Sequence, residues 1–179
     1  IHHYENDYLF HNMRTDFVGD SGSGKSIIAD LLQLIFVGSE MFESATRTMD
    51  EKRELDGLVL RTPHKGIDIG YAFLNIEIQS RHYIVIGCYL ESNSKRTKPF
   101  IIQGSSDPKA NLLPIGQPLQ TKDFKREGNI CPLDDLLSQM EEKGLFLSYW
   151  ETVKPYHRIL YTHDILPFDL ASNEKTLKD

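Results

Sequence analysis

Gly19-Asp20-Ser21-Gly22-Ser23-Gly24-Lys25-Ser26 is the stretch on which the reading of this chain turns. It satisfies the pattern G-x-x-x-x-G-K-[ST] in full and stands between an apolar stretch and an apolar helical pattern, the flanks that the chemistry of this motif requires. The glycines let the backbone curl so that successive N–H groups point inward at phosphate oxygens, and the helix that follows adds its positive N-terminal end. Lys25 is then placed to reach the β- and γ-phosphates of a nucleotide, and the Ser26 hydroxyl to ligate Mg²⁺. The competing reading is a Gly/Ser turn that merely caps a helix.

Upstream, Tyr8-Leu9-Phe10 and residues 13–18 lean apolar and end at Gly19, which predicts a strand running into the turn. Downstream, Ile27, Ile28, Leu31, Leu32, Leu34 and Ile35 recur at helical spacing, which predicts a mostly buried helix ending near Gly38. Residues 40–55 are polar and read as a surface helix or ordered loop closed by Asp56-Gly57. The period then becomes two: Ala72, Leu74, Ile76 and Ile78 alternate with Tyr71, Phe73, Asn75 and Glu77. With 82–90 and 100–103 this makes an antiparallel meander. Residues 105–118 carry Pro108, Pro114, Gly116 and Pro118 and read as an irregular loop that ends the sheet. Leu133, Leu136, Leu137 and Met140 share one face of a helix over 132–143, with Gly144 suited to close it. Residues 145–150 and 156–166 are apolar and aromatic, of undecided type, and 172–179 reads as the beginning of a charged helix that the sequence cuts off, as in a fragment.

Composition bounds the function classes. The chain has 179 residues, with Lys+Arg 20 against Asp+Glu 26 for a formal charge of −6, and 40% hydrophobic residues including 9 Phe and 8 Tyr. That suits one domain, or part of one, with enough apolar surface for a core. The acidic balance argues against nucleic-acid binding through overall positive charge and leaves DNA contact to a local patch. The longest apolar runs, around 31–37 and 83–90, are under half the ~20 residues of a membrane helix, so no membrane span is expected. No signal-peptide core follows the polar opening. Cys88 and Cys131 form neither a disulfide framework nor a metal-spaced pair, in keeping with a reducing, cytoplasmic location.

Hydrolysis at such a loop usually needs a second acid at the end of an apolar strand to hold Mg²⁺. The nearest candidates are 145–151, which contains Ser148, and 159–164, broken by Thr162 and His163; neither fits.

Residues 19–32, GDSGSGKSIIADLL, resemble the Walker A segment of SMC-type and related ABC-class ATPase heads, a pattern of roughly G-x-[NS]-G-[SA]-G-K-S followed by two apolar residues, a small or polar pair and a leucine. The element order extends the resemblance: a long helix, a polar stretch ending in Arg53-Glu54-Leu55-Asp56-Gly57-Leu58-Val59-Leu60, then a meander over 70–103. This looks like the N-terminal head segment of MukB-like and Wadjet JetC-like proteins. Ile27 stands where transporter-type ABC proteins usually have Thr, which favours the SMC-like branch. The resemblance implies an α/β P-loop NTPase fold of ABC/SMC-head type, with an antiparallel meander beside the nucleotide-binding strand, loop and helix. It implies one domain over 1–179: loop strand and helix 8–38, meander 67–104, and a helical C-terminal part 130–179.

The cofactors implied are ATP and Mg²⁺, with Gly19, Asp20, Ser21, Gly22, Ser23, Gly24, Lys25, Ser26 and Ile27 binding nucleotide. In this family a Gln after the meander contacts Mg²⁺ and the attacking water; Gln103 is its counterpart here, so Lys25 and Gln103 become the catalytic pair and Ser26 and Gln103 the metal ligands. Gln103 reads otherwise as a solvent-facing residue at a strand end. The resemblance further implies a homodimer through engaged heads, a coiled-coil arm, a C-terminal head segment or partner subunit bringing the Walker B and signature motifs, and DNA engagement in chromosome maintenance or defence against plasmids and phage.

Other features are weighed against plainer readings. Arg14 approaches nucleotide or DNA, or has a surface role without ligand. The basic tip Ser94-Lys95-Arg96-Thr97-Lys98 contacts phosphate or is a solvated edge that deters sheet association. His2, His3 and His11 do not complete a metal set, and His157, His163 and Asp164 read as satisfied polar groups rather than a catalytic pair. Tyr149, Trp150, Tyr156 and Tyr161 read as core rather than as base-stacking platforms. Two other functions stay open: a small-molecule kinase, whose alternating strands and helices and Arg-rich lid this pattern lacks, and a non-catalytic nucleotide-dependent interaction module.

Overall fold

The computed structural model describes residues 5–10, 14–43, 47–48, 51–52, 68–92, 94, 97–104 and 112–165. The expected helix after the glycine-rich loop is α1 (Lys25–Val37), ended by Gly38 at φ 75°, whose N–H donates to the Leu34 carbonyl. A 3₁₀ turn (Ser39–Met41) follows, and among the described residues of the polar stretch β1 (Arg47–Thr48) and β2 (Glu51–Lys52) pair as a ribbon. Arg53 to Leu60 lie outside the described residues, as do the basic-tip residues Lys95 and Arg96, and 166–179.

The meander forms as its period predicts: β3 (Ile69–Gln79), β4 (His82–Glu91) and β5 (Lys98–Gln103), all antiparallel. The sheet does not end there. Residues 146–149 form β8 (Phe146–Tyr149), antiparallel to β5, so the sheet runs β3-β4-β5-β8 and a stretch of undecided type within the part expected to be helical supplies a strand. Four residues are too few to display a period, and β5 offered an open edge to pair with. Between β5 and β8 lie the ribbon β6 (Lys125–Arg126) and β7 (Asn129–Ile130) and helix α2 (Leu133–Glu142), with Gly144 at φ 71° beyond its end. Helix α3 (Lys154–Thr162) resolves the second undecided stretch.

Side chains alternate across the sheet and divide the core into two layers. One holds Ala72, Ile84, Ile86, Cys88, Leu90 and Ile101 against Leu34 and Ile35 of α1 and Tyr156 and Leu160 of α3. The other holds Val85, Phe100, Ile102 and Leu147 against Phe124, Leu136 and Met140. Covered on both faces, β4 is buried from Ile84 to Leu90, and burial pushes the Cys88 thiol up to about 12. Gly87 lies where a Cβ would stand 2.5 Å from both the Ala72 carbonyl oxygen and the Phe100 ring. On the second face, Asn75 clamps the loop backbone at Leu119, donating to its carbonyl (2.9 Å) and accepting from its N–H (2.8 Å), and the Phe73 ring stacks on Phe124 at 4.2 Å.

One expected element is not formed. Residues 5–10 and 14–20 belong to no strand, and Leu9 and Val18 are 82% and 93% exposed. The arm is instead tied down by side chains: Asp7 accepts from the Thr121 N–H and hydroxyl, Glu5 pairs with Lys125, and Phe17 meets Tyr8 and Phe10 edge-on at 5.8 Å. A strand needs a neighbour to pair with, and none of the four sheet strands pairs with the described residues of this arm.

Candidate phosphate-binding site

The loop is built by two left-handed residues, Gly22 at φ 84° and Gly24 at φ 89°, the second being the N-cap of α1. Those angles turn the chain sharply enough for it to enter the helix while facing its own first residues. The Ser23 N–H donates to the Asp20 carbonyl (3.2 Å) and the Ile27 N–H to the Gly24 carbonyl (2.9 Å). Gly19 to Ser23 are exposed, Gly24 and Ile27 buried, and Lys25 and Ser26 half-buried. The anchored side of the loop thus faces the core and its mouth faces solvent.

Lys25 folds back over that mouth. Its ammonium donates to the carbonyls of Gly19 and Asp20, both at 2.7 Å, and to the Ser23 hydroxyl at 3.2 Å. A cation is thereby fixed above the N-terminal end of a 13-residue helix, where backbone N–H groups have no helical acceptor. Chemically, this arrangement suits an anion with several oxygens.

Gln103 is not the solvent-facing residue of the plainer reading. It is fully buried, and among the described residues neither its Nε2 nor its Oε1 has a hydrogen-bond partner. It follows Ile101 by two and is therefore on the α1 face of the sheet, one step beyond the Val85–Ile102 pair and thus at the Ile84 end of β4. The C-terminal end of α1 is tied to the opposite end of β5, where the Thr97 N–H reaches the Ser39 hydroxyl (3.4 Å) and His157 binds the Phe36 carbonyl.

The other sequence candidates separate from the end that holds Gln103. Glu151 follows β8 beyond Tyr149, which pairs with Phe100, and the Trp150 N–H binds the Pro99 carbonyl, so Glu151 lies at the far end of the sheet. Residues 159–164 are the end of α3 and a turn, with Asp164 at φ 57° and exposed, rather than a strand ending in an acid. His157 is a structural cap on α1. Tyr156 is fully buried and Trp150 packs near it, whereas Tyr149 and Tyr161 are more than a third exposed, and Lys98 sits 5.6 Å over the Tyr149 ring. Arg14 pairs with Asp16 at 2.9 Å on the open surface. Sequence reasoning missed the Ser23 hydroxyl as a partner of Lys25; serine at that position of the motif carries no signal for it. Among the described residues no three His, Cys, Asp or Glu side chains converge on a metal position, and no helix is long and apolar enough to cross a membrane. No family model, curated protein or solved structure matches this chain.

Proposed function

We propose that this chain is the ATP-binding part of an SMC-like ATPase head, which binds Mg-ATP and is completed by a partner or C-terminal segment that supplies the second acid and the signature motif. In this reading Lys25 and the loop amides hold the phosphates, Ser26 ligates Mg²⁺, and Gln103 contacts Mg²⁺ and the attacking water once the site closes. Hydrolysis in the completed, dimeric head is coupled to DNA engagement.

The observation that carries the reading is the Lys25 ammonium drawn back over a loop with two left-handed glycines. A turn that only capped a helix would have no reason to fix a cation in its mouth. The choice of an ABC/SMC-type head over a small-molecule kinase is supported by the antiparallel sheet that follows α1 and by Gln103. A buried carboxamide with both ends unpaired carries the full desolvation penalty of its polar atoms, the kind of local cost that functional positions retain.

The test is ATP binding and turnover by this chain with Mg²⁺, with Lys25→Ala as control. Expected are Mg²⁺-dependent binding, negligible turnover by the chain alone, and loss of binding in Lys25→Ala with an unchanged melting curve, because Lys25 faces the loop mouth and not the core. Unchanged affinity in that variant overturns the assignment. Robust turnover by the chain alone, or phosphate transfer to a small acceptor, replaces it with the kinase reading.

A further inference from the structure

We infer that Ser23 is a positioning residue that latches the empty loop by occupying the one Lys25 donor that a phosphate must take. The inference rests on the nucleotide-binding reading of the loop and names what regulates entry to it.

An ammonium has three N–H donors, and in this loop three acceptors face the Lys25 ammonium: the Gly19 carbonyl, the Asp20 carbonyl and the Ser23 hydroxyl. None is left for a ligand. The three bonds differ. The two carbonyl bonds, at 2.7 Å, hold the side chain over the loop, whereas the hydroxyl bond, at 3.2 Å, is the longest and therefore the weakest. The carbonyls are fixed by the backbone turn. The serine side chain is exposed and has one rotatable bond to its hydroxyl, so it alone releases the ammonium without moving the chain.

Its position also fits a latch. The Ser23 Oγ lies 3.0 Å from where a Cβ on Gly19 would be, so the hydroxyl bridges the two sides of the loop mouth. An incoming phosphate oxygen therefore replaces the Ser23 hydroxyl on Lys25 while both carbonyl bonds remain. The ligand class is the terminal phosphates of a nucleoside triphosphate, and the effect falls on the empty state alone.

Two measurements on Ser23→Ala test this. In the ligand-free protein, NMR of the Lys25 ammonium is expected to show faster proton exchange with solvent in the variant; unchanged exchange overturns the latch whether or not nucleotide binds. In stopped-flow binding of a fluorescent ATP analogue, the variant is expected to bind about fivefold tighter, through a faster association rate with the dissociation rate unchanged. Weaker binding through faster dissociation overturns the latch and makes Ser23 a phosphate donor. A wild-type chain that binds no nucleotide, with the exchange difference present, defeats the nucleotide reading and leaves the latch standing. Circular dichroism of the variant is expected to match wild type, because Ser23 is exposed.

Discussion

The arm before the loop and the strand β4 both carry apolar residues that read as strand, and they end in opposite states. From Ile84 to Leu90 every residue of β4 is buried, between two paired neighbours and under two layers of side chains. In the arm, Leu9 and Val18 face solvent and no strand forms. The contrast teaches that apolar content and β-branched residues describe a surface that would fit inside a sheet, and that the neighbours decide whether it does. The loop between arm and helix needs no such neighbours. Its turn follows from two glycines and one lysine within six residues, so it forms where the preceding strand does not.

Substitutions in β4 and in the arm are expected to differ in cost. The largest effect is expected for Ile86→Ala, at full burial between α1 and α3, which should cost about 2–5 kcal/mol in urea unfolding. Its counterpart in the arm, Val18→Ala, should change stability by less than about 0.5 kcal/mol; equal losses would mean that the arm is packed after all. Gly87→Ala comes next. The new methyl meets backbone at Ala72 and the Phe100 ring, and a loss of about 1–3 kcal/mol is expected from the midpoint of the same transition. A neutral outcome would show that β4 yields more readily than its burial implies.

Gln103→Leu is expected to act in the other direction. It removes two buried polar atoms without partners and should raise stability by about 1 kcal/mol while leaving ATP binding through Lys25 in place. In a completed head the same variant should lose turnover. A fall in stability would mean that the carboxamide is held by a partner and is not kept for a ligand.

Much of the architecture was readable from local pattern. The period of two over 72–78 announced β3, and the spacing of Leu133, Leu136 and Met140 announced α2, because in each the hydrophobic spacing repeats often enough to be seen. The motif at 19–26 was equally legible, since its conformation follows from residue types at fixed offsets. β8 was not, being too short to show a period, and the arm was misread because its strand signal has no term for an absent neighbour. Gln103 was singled out as a candidate from its place after the meander, but its burial and its pairing with Phe146 of β8 were not legible there.

Local sequence therefore sets the short-range structures: the glycine turns, the helix after them and the strands whose hydrophobic period matches their geometry. These depend on φ preferences and side-chain spacing within a few residues. The assembled fold alone settles which apolar stretch found a partner and that Gln103 is buried at the end of its strand. Those depend on contacts whose free energy is realised only when distant segments are brought together, and no local pattern carries that information.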